Sequence, residues 1–205
     1  MFSIIQAAGW PIWPLLLCSV VALALIIERL SSLRARRVLP PKLLDDVLNV
    51  SAQQLPAGEM VERLAQNSIL GEVLASGLRA VAAEPRMPEA KLRGVFEFAG
   101  RRAVHQLERY MNSLGTIATA APLLGLMGTV VGMIEIFGSQ TPGGGNPAQL
   151  AHGISIALYN TAFGLMIAIP SLMFHRYFKG RIEEYVLELE AAAERLLGQL
   201  RRHTT

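Results

Sequence analysis

Charge in this chain is confined to two blocks, and no other feature limits its fold so strongly. The sequence has 19 Lys and Arg and 16 Asp and Glu, yet residues 1–27 carry none of them and residues 110–175 carry only Glu135. An ordinary soluble domain spreads charge along the exposed face of every element, and a disordered or nucleic-acid-binding tail is rich in it. Both classes are excluded, and the pattern predicts a membrane protein with a sizeable water-facing part.

A bilayer core is spanned by about 20 apolar residues in a helix, and three stretches qualify, at 10–27, 111–137 and 153–174. The fold class they predict is an all-α membrane protein with three transmembrane helices. The first run lacks a basic leading segment and a small-residue cleavage site before Glu28, so it reads as a retained span rather than a signal peptide. Residues 138–152 contain three consecutive glycines, two prolines and no Lys or Arg, the composition of a short loop between the last two spans.

All the Lys and Arg fall between 29 and 109 or between 176 and 202. Basic residues mark the cytoplasmic side. Residues 1–9 and the 138–152 loop are therefore expected outside, with 28–110 and the C-terminal helix 175–205 in the cytoplasm. Trp10 and Trp13 would then anchor the outer interface.

The charged blocks mix both signs, 13 basic with 10 acidic residues over 28–109 and 6 with 5 over 176–205, which marks solvated helix faces rather than a patch for nucleic acid. Leu70, Leu74, Leu78 and Val81 recur at helical spacing, as do Leu92, Phe96, Ala99, Ala103, Leu107 and Met111. No proline interrupts residues 89–121, so the second span is expected to run unbroken from the cytoplasmic region to Phe137. The third should likewise continue past the membrane, its buried stripe being Phe178, Ile182, Val186, Leu189, Ala193, Leu196 and Leu200. Pro40, Pro41, Pro56, Pro85 and Pro88 punctuate the helices before it.

The last two spans differ from the first. They carry Thr116, Thr119, Thr129, Glu135, Ser155, Tyr159, Asn160 and Thr161, with small residues at Gly125, Gly128, Gly132 and Gly164. Hydroxyls and amides are costly against lipid, and small residues let backbones approach, so these helices face protein or water. Thr129 and Thr161 are either interhelical glue or the lining of a pore, and Asn160 is a further candidate for a proton pathway. Glu135 either reaches the outer interface or serves such a pathway, since an intramembrane carboxylate is a functional candidate by default. The four histidines, His105, His152, His175 and His203, have no metal-ligand spacing, and no Gly-rich phosphate loop is present. Neither a metal, a cofactor nor an enzymatic activity is expected, and Cys18 in its apolar run reads as a small hydrophobe.

The runs APLLGLMGTVVGMIEIF (121–137) and GISIALYNTAFGLMIAIPS (153–171) resemble the MotA/TolQ/ExbB proton-channel family, most closely its ExbB and TolQ branch. The resemblance covers nearly the whole chain, including the early first span and the long insertion that follows it. It implies a pentameric ring whose second and third helices enclose a pore holding single-span partners of the ExbD or TolR kind. Proton entry would drive that partner and energise a periplasmic protein of the TonB or TolA type. By the same resemblance the pore-lining threonines of the family map onto Thr129 and Thr161, and the proton carrier would be an aspartate of the partner. One departure is Ile156, where relatives often carry a glutamate. The alternatives are a non-conducting scaffold of an envelope complex and a TolQ-type subunit of a Tol-Pal-like system.

Overall fold

The computed structural model describes residues 10–53, 56–138 and 147–204. The expected periplasmic N-terminus and most of the 138–152 loop lie outside them. Among the described residues the regular structure is helical: α1 (Ile12–Ser32), α2 (Ala35–Val38), α3 (Leu43–Gln53), α4 (Gly58–Asn67), α5 (Ile69–Ala83), α6 (Glu89–Leu107), α7 (Met111–Gly138) and α8 (Pro147–Thr204). Three helical stretches are long and apolar enough to cross a membrane: α1, the stretch ending in α7, and α8 from Gly153.

The chain divides into two compact units, and the division follows the charge. One comprises the residues up to Glu28 with Tyr110–Tyr177; the other comprises Arg29–Arg109 with Phe178–Thr205. Prolines border the helices as expected, with α2 ending before Pro40 and α6 starting after Pro88.

In the charged unit, α5 is the most deeply buried helix, with Leu70, Val73, Leu74, Ala75, Leu78 and Val81 all in the core. Ser68 caps it, its hydroxyl accepting from the Gly71 amide at 3.0 Å, which satisfies one of the free N–H groups of the first turn. Arg79 ties α5 to α4 through a two-pronged contact with Glu62, at 2.8 and 2.9 Å. The α6 stripe Leu92, Phe96, Ala99, Ala103 and Leu107 is buried as its spacing predicts. Phe96 lies over Gly77, where a Cβ would fall 2.1 Å from its ring. On α8 the buried side chains are Phe178, Ile182, Tyr185, Leu189, Ala192, Leu196, Leu197 and Leu200. The stripe is thus turned toward Tyr185 and Ala192, and Val186 and Ala193 of the expected set lie half-buried at its edge. The reason is polar: the Tyr185 hydroxyl donates to the Leu33 carbonyl at 2.7 Å and accepts from Arg181 at 2.8 Å. The Tyr185 phenol, through that bond, raises the pKa of Arg181 above its ordinary value.

The helix expected to run unbroken from Pro88 to Phe137 is interrupted at Glu108–Tyr110, where Tyr110 takes a φ of 65°. No glycine or proline lies there, and the left-handed region costs a non-glycine residue roughly 1–2 kcal/mol. The Leu107 carbonyl, at the end of α6, instead receives a hydrogen bond from the buried Arg29.

Candidate functional site

The membrane-spanning unit is organised by how closely α7 and α8 approach. A Cβ at Gly125 would fall 2.7 Å from the Asn160 carbonyl oxygen and 3.0 Å from the Thr161 Cα. One at Gly164 would fall 2.6 Å from the Ala121 carbonyl oxygen and 3.2 Å from the Gly125 Cα. Gly128 receives the buried Asn160 side chain, whose Cβ would be 2.8 Å from a Cβ there, and Gly132 faces Ala157. All four glycines singled out by small size thus join in one seam within a single chain. Pro122 and Pro170 sit inside these helices without ending them.

The first helix covers one edge of the seam. Leu15 packs with Ala121 and Ala168, against Leu124, Phe163 and Ile167. At about 100° per residue, Leu124 is turned roughly 140° from Thr129, and Phe163 roughly 160° from Thr161, with the seam glycines between. Thr129 and Thr161 therefore share the edge that α1 leaves uncovered. Both are half-buried. Thr129 Oγ1 donates to the Leu126 carbonyl of its own helix at 2.7 Å, whereas Thr161 Oγ1 donates across the seam to the Gly125 carbonyl at 3.3 Å. Each hydroxyl keeps acceptor capacity and can rotate toward a new partner.

Glu135 is exposed within the last turn of α7, apart from the threonine pair. Asn160 is buried, only 2% exposed, and belongs to the seam rather than to the open edge. The Ile156 side chain lies outside the described residues. Among the described residues no three His, Cys, Asp or Glu side chains gather as metal ligands would.

Sequence reasoning left two features of this unit unassigned. His175 lies against Gly115, where a Cβ would be 3.1 Å from the imidazole Nε2. Large apolar side chains also line the outside of α7, Leu123, Leu126, Val130, Ile134 and Phe137, all exposed in the single chain.

Comparison with known proteins fits this geometry. Residues 65–191 match the model of the MotA/TolQ/ExbB proton channel family. The chain is similar to the biopolymer transport protein ExbB-like 3 of Synechocystis sp., 34% identical over 85% of this chain and 82% of that one. It is also similar to the biopolymer transport protein exbB1 of Vibrio cholerae, 30% identical over 82% of this chain and 74% of that one. The Tol-Pal system protein TolQ of Haemophilus influenzae is 36% identical over 48% of this chain and 45% of its own length. With three helices fit to span a membrane and a family match across most of its length, the chain is a multi-pass inner-membrane member of the MotA/TolQ/ExbB proton channel family.

Proposed function

We propose that this chain is the ring-forming subunit of a proton-driven motor in which the edge bearing Thr129 and Thr161 faces a central pore. The observation that carries the reading is the shared position of those two hydroxyls, on the edge of the α7–α8 seam opposite the one α1 covers. In a closed ring of identical subunits, α1 lies on the lipid side and the threonines form rings of hydroxyls. Such rings solvate a partner carboxylate at several angular positions without holding it tightly, which suits a moving partner. The partner is a single-span protein of the ExbD or TolR kind, and the output is a periplasmic protein of the TonB or TolA kind. The segregation of Lys and Arg supports an N-terminus outside and a C-terminus inside.

Thr→Val is nearly isosteric and removes the donor. Thr129→Val and Thr161→Val should each abolish proton-driven function while the ring, a pentamer by native mass spectrometry, still co-purifies with its partner; Thr→Ser should keep part of it. Activity retained by both Val variants would assign the threonines to helix packing, and the chain would then be a non-conducting scaffold. Glu135→Gln separates the two readings of that residue: lower flux with an intact ring assigns it to proton entry, and full flux assigns it to the interface.

A further inference from the structure

Gly115 precedes Thr129 by fourteen residues, and His175 follows Thr161 by fourteen. Fourteen residues is close to four helical turns, so each lies about 21 Å along its helix from its threonine and within about 40° of the same face. The two displacements run in the same direction on antiparallel helices. They bring Gly115 and His175 together, with a Cβ at Gly115 only 3.1 Å from Nε2 and 3.3 Å from Cδ2. The open edge of the seam thus carries hydroxyls at mid-depth and an imidazole at the end nearer the basic residues.

We infer that His175 is the group that takes up protons leaving the pore and hands them to water on the inner side. The inference rests on the channel reading above. Gly115 lets the Nε2–Cδ2 edge of the ring approach α7, and its own carbonyl accepts from Thr119 Oγ1 at 3.2 Å. Thr116 follows on the same exposed face, its hydroxyl donating to the Asn112 carbonyl at 2.9 Å. At about 100° per residue, exposed Asn112 and Thr119 lie within about 60° of Gly115 on α7, and their uncharged polar side chains offer water a path along that side of the helix. Within this unit the other titratable groups near the same end, Glu28, Tyr110, Arg176 and Tyr177, are exposed, while Arg29, the residue after Glu28, is buried and donates to the Leu107 carbonyl. Imidazole suits the step because it exchanges protons near neutrality and has two nitrogens. Neutral His175 accepts a proton at one ring nitrogen, becomes imidazolium, and returns to neutral when a proton leaves a ring nitrogen to bulk water.

The test uses the full chain with its single-span partner in proteoliposomes, with proton flux followed by a trapped pH-sensitive dye. His175→Gln keeps hydrogen bonding and approximate size but cannot carry a proton. It should lower flux by roughly 100-fold, the low end of what a positioned proton-transfer group contributes, with ring and partner intact. Added imidazole should restore a substantial part of that flux, and none in Thr161→Val, whose block lies elsewhere. Native flux in His175→Gln would overturn the inference, as would a loss that imidazole does not restore, which would make the histidine a packing residue. In either case flux in the native complex that Thr161→Val abolishes leaves the channel reading standing. A native complex without flux removes both.

Discussion

The Arg29 guanidinium donates from Nη1 to the Leu107 carbonyl at 3.1 Å, joining residues 78 positions apart, and Arg29 is only 4% exposed. The bond satisfies a carbonyl that the end of α6 leaves open, where α7 does not continue the helix. Loss of a charged donor to a buried carbonyl costs about 1.5–3 kcal/mol. Arg29→Leu should therefore lower the thermal midpoint of the detergent-solubilised protein by roughly 3–10 °C. An unchanged midpoint would show that the bond contributes nothing to stability.

Tyr185→Phe removes one oxygen from the same unit and leaves the Leu33 carbonyl without its donor. The expected loss is about 1–3 kcal/mol. Chemical denaturation of the variant beside the native protein measures it, and Arg181, stacked 4.9 Å from the Tyr185 ring centre, should become more mobile in solution spectra.

Glycines at two positions should respond with opposite sign. A Cβ at Gly125 meets backbone atoms that cannot yield, so Gly125→Ala should destabilise the protein by about 1–3 kcal/mol. Gly94 has open space around it in α6, and Gly94→Ala should stabilise by about 0.5–1 kcal/mol through reduced freedom of the unfolded chain. The same shift at both sites would contradict the close approach in the seam.

Gly77 and Phe96 offer a test by coupling. Gly77→Ala alone should destabilise, because its methyl would overlap the Phe96 ring, and Phe96→Leu alone should destabilise by loss of packing. Together they should cost less than the sum, with a coupling of about 0.5–3 kcal/mol. Simple additivity would remove the contact.

Topology follows from thiol labelling in a Cys18→Ser background. Gln66, exposed on α4, serves as the reporter for the charged unit. An impermeant reagent applied to intact cells should modify Gly138→Cys and spare Gln66→Cys. The reverse pattern would invert the orientation.

Much of this architecture was legible in the residues. Charge placement gave the three spans, since a helix in lipid tolerates almost none, and the spacing of Leu92, Phe96, Ala99 and Ala103 gave the buried face of α6. The break at Tyr110 was not legible, because its local sequence lacks the usual helix breakers and its compensating bond comes from Arg29, far away in the chain. Arg29 itself reads in sequence as one more basic residue marking the inner side. The glycines announced a close approach without naming their partners, and pairing Gly125 with Gly164 required the register of two helices. Thr129 and Thr161 stand out in the sequence as hydroxyls within two apolar spans, whereas the meeting of Gly115 with His175 depends on a matched offset that no single stretch contains.

The tightness of the α7–α8 seam has a genetic consequence. With a carbonyl oxygen already 2.7 Å from where a single carbon would sit beside Gly125, no water molecule fits between the helices at that level. One subunit is then a wall rather than a conduit, and on the proposed channel reading the conducting path exists only where several copies meet. An allele encoding Thr161→Val would therefore act in trans: expressed beside the native gene, it would enter shared rings and spoil them. It should behave as a dominant rather than a recessive lesion.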